Sequence, residues 1–86
     1  GSDVIIKNNA IINAGSIVSH DCSISDNVHL TPGSILAGNV SIDSHTIIGM
    51  GATVYINVKI GNHVIVQNGA TIVSDVSDGQ LVKGLS

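Results

Sequence analysis

The sequence predicts an all-β chain wound as a parallel β-helix of hexapeptide repeats, about four triangular coils long. Three columns of residues carry that prediction. Every sixth residue from Ile6 is aliphatic: Ile6, Ile12, Val18, Ile24, Leu30, Leu36, Ile42, Ile48, Val54, Ile60, Val66 and Ile72. Four places after each stands a small or β-branched residue, from Ala10, Ser16 and Cys22 to Val64, Ala70 and Val76. Three places after each stands Gly, Asn, Asp or His, from Asn9, Gly15 and Asp21 to His63, Gly69 and Asp75. These are the residue types that best tolerate a positive φ. A fixed period of this kind is the signature of a solenoid.

Each hexapeptide therefore reads as a short strand followed by a tight corner. Thr31-Pro32-Gly33-Ser34 shows the corner chemistry most fully. Proline pre-sets the first central residue of a type II turn, and glycine supplies the positive φ at the second. Three strands and three corners close one coil of eighteen residues, so residues 6–77 give four coils. Parallel strands stack about 4.8 Å apart, which makes four coils roughly 19 Å tall. The expected division is a coil domain over residues 3–77 and a C-terminal tail over 78–86. Gly1-Ser2 are set aside as a remnant of cloning.

Composition agrees with that reading and narrows the function. Of 86 residues, 43% are hydrophobic, yet Tyr55 is the one aromatic, and there is no Phe, Trp, Glu or Arg. Ile and Val together fill 25 positions, which favours strands. Six Asp against three Lys give a net charge of −3, the wrong sign for a nucleic-acid surface. No stretch approaches 18 apolar residues, so no membrane span is expected. A single Cys22 rules out an internal disulfide and a cysteine zinc site. With no signal peptide visible, the expected setting is cytoplasmic.

The outward residues differ from face to face. The first face carries Ile5, Ser23, Ser41 and Lys59, and reads as solvated. The second carries Ile11, His29, Ile47 and Ile65, and the third Ile17, Ile35, Thr53 and Thr71. An exposed aliphatic strip on two adjacent faces marks an interface. A homotrimer is expected, its axis near the edge lined by Ala14, Pro32, Met50 and Asn68.

Four histidines are the candidates for chemistry. His20-Asp21 fills a corner between the third and first faces. A solvated corner explains both residues, but a histidine beside a carboxylate also makes a general base. Gly38, one coil on, is expected to leave room and exposed backbone beside the imidazole. His29 interrupts an aliphatic column, either as a hydrogen-bonded interface residue or as one wall of a cleft shared with His20 of a neighbouring copy. His45 and His63 stack in one corner column with no third ligand at usable spacing, so no metal site is expected. Cys22 reads as core and Tyr55 as interface.

The pattern resembles the left-handed β-helix transferases. The stretch 17–53, IVSHDCSISDNVHLTPGSILAGNVSIDSHTIIGMGAT, is similar to bacterial sugar acetyltransferases of the sialic acid O-acetyltransferase and UDP-4-amino-sugar N-acetyltransferase type (NeuD-like). The residues that carry the likeness are His20-Asp21, Val28-His29-Leu30-Thr31 and Ala37-Gly38-Asn39-Val40, with the closing stretch 73–86, VSDVSDGQLVKGLS. The resemblance implies a left-handed coil, acetyl-CoA as co-substrate, and a sugar amine or hydroxyl as acceptor. It implies His20 as general base, Asp21 as the group that orients it, and His29 as a substrate-binding residue in an interface cleft. Backbone at Gly38 and at Gly51-Ala52 is expected along the pantetheine arm, with Lys83 as the cation near the phosphates. The family's N-terminal α/β domain has no counterpart in these 86 residues. The competing expectation is an inactive trimerisation scaffold. An ice-binding face would need a regular Thr-x-Thr array, which scattered Thr31, Thr53 and Thr71 do not form.

Overall fold

The computed structural model describes residues 3–86, so the reading of Gly1-Ser2 lies outside the described residues. Thirteen two-residue strands follow one another: β1 (Ile5–Ile6), β2 (Ile11–Ile12), β3 (Ile17–Val18), β4 (Ser23–Ile24), β5 (His29–Leu30), β6 (Ile35–Leu36), β7 (Ser41–Ile42), β8 (Ile47–Ile48), β9 (Thr53–Val54), β10 (Lys59–Ile60), β11 (Ile65–Val66), β12 (Thr71–Ile72) and β13 (Leu81–Val82). They form three parallel sheets, ordered β1-β4-β7-β10, β2-β5-β8-β11-β13 and β3-β6-β9-β12. Ile5 pairs with Ser23 and Ser23 with Ser41, so one coil is eighteen residues and the outward columns are those of the sequence. Among the described residues no helix is long and apolar enough to cross a membrane.

The corners form as the third column predicts. Asn9, Asp21, Asn27, Asn39, His45, Asn57 and His63 all hold φ between 53° and 66°, and glycine takes the same slot at 15, 33, 51 and 69. Each corner also bonds to the one a coil earlier. The Asn39 N–H donates to the His20 carbonyl at 2.9 Å and the Asn57 N–H to the Gly38 carbonyl at 3.0 Å. Asparagine side chains reinforce the stack, as Asn39 Nδ2 donates to Asn57 Oδ1 at 2.8 Å. The bent backbone thus satisfies polar groups between coils, and corners such as Thr31–Ser34 add a bond within the turn, the Ser34 N–H donating to the Thr31 carbonyl at 3.2 Å.

The inward columns make one continuous aliphatic core. From Ile24 to Ile72 the sixth-residue positions are essentially sealed from solvent. Cys22, in the small-residue column, is buried beside them, its Sγ donating to the Ala37 carbonyl at 3.2 Å. The two buried polar positions are both satisfied. Thr46 Oγ1 donates to the Gly61 carbonyl at 2.7 Å, and Ser34 meets Ser16 across 3.2 Å. Ile6 and Ile12 point inward like the others but remain 48% and 38% exposed, because no coil of the described residues lies beneath them.

The far end departs from the expected register. The coil is regular only as far as Ile72. Asp75 does not take the positive φ of its column, and Val76 pairs with Ile60 two residues early. Here Asp75 Oδ1 accepts from the Lys59 N–H and Asp78 Oδ1 from the Asn62 N–H, each across 16 residues rather than 18. The shortened path carries residues 78–86 back over the core. Leu81–Val82 joins the second sheet beside Ile65–Val66, and Leu85 pairs with Thr71. The segment expected as a tail is a narrowing fifth coil that covers the end of the core.

Candidate functional site

His20 sits at the corner joining the third sheet to the first. Its neighbour Asp21 adopts φ 60°, which swings the carboxylate alongside the ring. His20 Nδ1 lies 3.1 Å from Asp21 Oδ2, with the two side chains 57% and 39% exposed. A carboxylate only accepts, so Nδ1 carries a proton, and in the neutral ring Nε2 keeps its lone pair. No hydrogen-bond partner engages Nε2 among the described residues.

Gly38 is what lets the ring lie where it does. A Cβ built there would stand 2.6 Å from His20 Cε1 and Nε2. The missing side chain is replaced by the imidazole of the coil before. Gly38 is accordingly buried rather than presenting exposed backbone, which corrects the sequence expectation. The room was there, and His20 itself occupies it.

His29 lies on the second sheet and is half-buried. Its Nε2 is 2.7 Å from Asn13 Nδ2, which also donates to the Leu30 carbonyl at 3.1 Å. The corner that bears His20 is the one opposite the second sheet, so a single chain does not bring His20 and His29 together. Gly51 and Ala52 occupy a third place, at the edge between the second and third sheets. Ala52 is fully buried, its N–H bonded to the Gly49 carbonyl and its own carbonyl to the Ile35 N–H, so both of its backbone groups are engaged. Lys83 follows β13 and is exposed. The candidate residues fall in three places: His20, Asp21 and Gly38 on one corner, His29 on the second sheet, and Gly51, Ala52 and Lys83 at the edge between the second and third sheets.

His45 and His63 stack with ring centroids 4.8 Å apart and an interplanar angle of 27°. His63 Nδ1 is turned to Asn62 Oδ1 at 3.2 Å. Among the described residues no group of three or more His, Cys, Asp or Glu is placed to hold a metal ion. An open groove on the first sheet, lined by Ser41, Ile42, Asp43, Lys59, Ile60 and Asp75 among others, contains none of the candidate residues. Ile11, Ile17, Ile35, Ile47 and Ile65 are all exposed on the second and third sheets, joined by Leu81.

The architecture is a left-handed parallel β-helix domain built on hexapeptide repeats. No protein-family model and no curated protein matches the chain. Solved structures do. The acetyltransferase domain of PglB from Neisseria gonorrhoeae FA1090 superposes with a TM-score of 0.93 at 37% identity, over 94% of this chain and 40% of that one. The same domain in complex with acetyl coenzyme A gives 0.91 at 38%, over 94% and 40%. PerB from Caulobacter crescentus, in complex with CoA and GDP-perosamine, gives 0.90 at 40%, over 100% of this chain and 41% of that one. At 37–40% identity these likenesses run over nearly the whole of this chain, which spans about 40% of the length of the solved relatives it matches.

Proposed function

We propose that this chain is the catalytic coil domain of an acetyltransferase that moves an acetyl group from acetyl-CoA to an amine or hydroxyl of a nucleotide-linked sugar. One observation carries the reading. His20 is an exposed imidazole whose Nδ1 is held by Asp21 and whose Nε2 has no hydrogen-bond partner among the described residues, in a chain 37–40% identical to acetyltransferase domains. The similar Caulobacter enzyme is a perosamine N-acetyltransferase, which favours an amine acceptor.

In this reading acetyl-CoA supplies an acyl group activated as a thioester. His20 Nε2 accepts the proton of the acceptor amine as its nitrogen bonds to the carbonyl carbon. As the carbon–sulfur bond breaks, the imidazolium returns that proton to the sulfur. Asp21 keeps the ring oriented and stabilises the imidazolium while it exists. General-base assistance of this type is worth roughly 10²–10⁴ in rate.

The His20 corner and His29 meet only between copies, so the proposal includes a homotrimer. Its axis runs along the Met50 edge, and the second sheet of one copy packs on the third sheet of the next. His20 stands at the outer rim of the third sheet and faces the partner subunit's His29, which lies on the outer half of the second. Gly51, Ala52 and Lys83 are then on the axis side, so the proposed cleft is built from His20, Asp21, Gly38 and the partner subunit's His29. Two measurements test this. Sedimentation velocity is expected to show a trimer that Ile47→Lys dissociates. Calorimetry is expected to show acetyl-CoA binding by the wild-type chain. A stable monomer, or no binding at millimolar acetyl-CoA, overturns the reading in favour of a scaffold.

A further inference from the structure

We infer that Asn13 is a positioning residue that holds His29 in its neutral, Nδ1-protonated tautomer, so that His29 serves the cleft as a hydrogen-bond donor and not as a second base. The role in the cleft rests on the proposed function; the tautomer rests on geometry alone.

The argument starts from the Asn13 amide. Its Nδ2 lies 3.1 Å from the Leu30 carbonyl oxygen and 2.7 Å from His29 Nε2. Exchanging the amide's oxygen and nitrogen would set two acceptor oxygens 3.1 Å apart, with no hydrogen between them. The Leu30 carbonyl therefore fixes which end of the amide faces inward. An amide nitrogen has two hydrogens and no acceptor capacity. One goes to Leu30 and the other to His29, so Nε2 must supply a lone pair. A neutral imidazole that accepts at Nε2 donates at Nδ1. No partner engages Nδ1 among the described residues, which leaves that N–H available to a ligand.

The backbone makes this arrangement rigid. The Asn13 N–H also donates to the Leu30 carbonyl, at 3.0 Å. The residue is thus anchored by main chain and side chain to a single oxygen, one coil away. One coil on, in the same outward column, Thr31 Oγ1 donates to the Ile48 carbonyl at 2.6 Å. Its hydroxyl has one hydrogen, which is spent on the carbonyl. Asparagine in that column has a second hydrogen to direct at a neighbouring ring. In the acyl-transfer reading, a fixed donor opposite a base is what a developing carbonyl oxyanion requires.

The test is the ring-nitrogen NMR spectrum of the 15N-labelled chain, with the His29 signals identified by their loss in His29→Asn. The wild-type is expected to show a protonated, pyrrole-type Nδ1 and a pyridine-type Nε2 for His29. Asn13→Asp reverses the polarity of the partner: a carboxylate accepts and cannot donate. In that variant His29 is expected to become protonated at Nε2, by changing tautomer or by charging. An Nε2-protonated neutral ring in the wild-type, or an unchanged spectrum in a folded Asn13→Asp chain, overturns the inference. Asn13→Ala is the second variant, expected to release His29 into a mixture of tautomers with the coil intact by circular dichroism. The measurement needs no substrate. The inferred tautomer found in a chain that fails to bind acetyl-CoA would support this inference and count against the proposed function alone.

Discussion

His20 and His29 are the same side chain in two settings, and their neighbours give them opposite chemistry. His20 stands at a corner, and its polar neighbour is a carboxylate that accepts from Nδ1. His29 stands on a strand, and its polar neighbour is an amide nitrogen that donates to Nε2. The first ring is left with an open lone pair and the second with an open N–H. A transferase needs one of each, a group that takes a proton and a group that steadies an oxygen. The partner's hydrogen-bonding sense, more than the histidine itself, decides which is which.

The largest effect expected from breaking this contrast is the removal of the base. His20→Ala in the transferase is expected to lower turnover by roughly 10²–10⁴-fold, with acetyl-CoA affinity little changed. Steady-state kinetics with a nucleotide amino sugar would check it, and wild-type turnover in that variant would end the assignment. The ring makes no hydrogen bond into the core and is largely exposed, so the fold is expected to survive the change.

A smaller but sharper test converts one setting into the other. Asp21→Asn places an amide beside His20, as Asn13 stands beside His29. Its nitrogen can donate to Nδ1, which would move the proton to Nε2 and occupy the base. Turnover is expected to fall, by at most the roughly 10⁴-fold that the same wrong tautomer costs a triad enzyme. Stability is expected to hold or rise slightly, because asparagine already occupies this positive-φ slot at residues 9, 27, 39 and 57. Loss of turnover together with an unchanged melting temperature would separate chemistry from folding. An Asp21→Asn variant with full turnover would show that the carboxylate neither orients His20 nor fixes its tautomer.

Much of this could be read from the sequence because the repeat converts position directly into place. The assignment of residues 5–72 to three sheets follows from counting in sixes, since each inward aliphatic holds the equivalent place in its hexapeptide. The ends were harder to read. The inward pattern of Ile6 and Ile12 is indistinguishable from that of Ile24, and only the stack shows that no coil of the described residues lies beneath them. At the other end, Asp75 satisfies the column's residue type while its carboxylate is used to bond Lys59. That side-chain use tightens the spacing to 16 residues, a change invisible in a list of residue types. The Asn13–His29 contact is implicit in the columns, because Asn13 lies two residues beyond Ile11, the strand partner of His29. The columns do not give the rotamers, and the chemistry resides in those.

The smallest expected effect concerns the seat of the base rather than the base. At Gly38 a methyl group would stand 2.6 Å from the His20 ring, closer than real contacts allow. One partner must yield. The Gly38 carbonyl is tied to the Asn57 N–H at 3.0 Å, while the imidazole is an exposed side chain held by one hydrogen bond at its edge. The ring therefore moves and the coil does not. Gly38→Ala is expected to lower turnover roughly ten- to a hundredfold through misplacement of Nε2, with the melting temperature nearly unchanged. Within one chain His29 is on the opposite side of the prism, so in the Ile47→Lys background, where no partner faces His20, its ring-nitrogen signals should stay where they are. If those signals moved as well, the two settings would be coupled through the core, and the partner-by-partner account of the two histidines would fail.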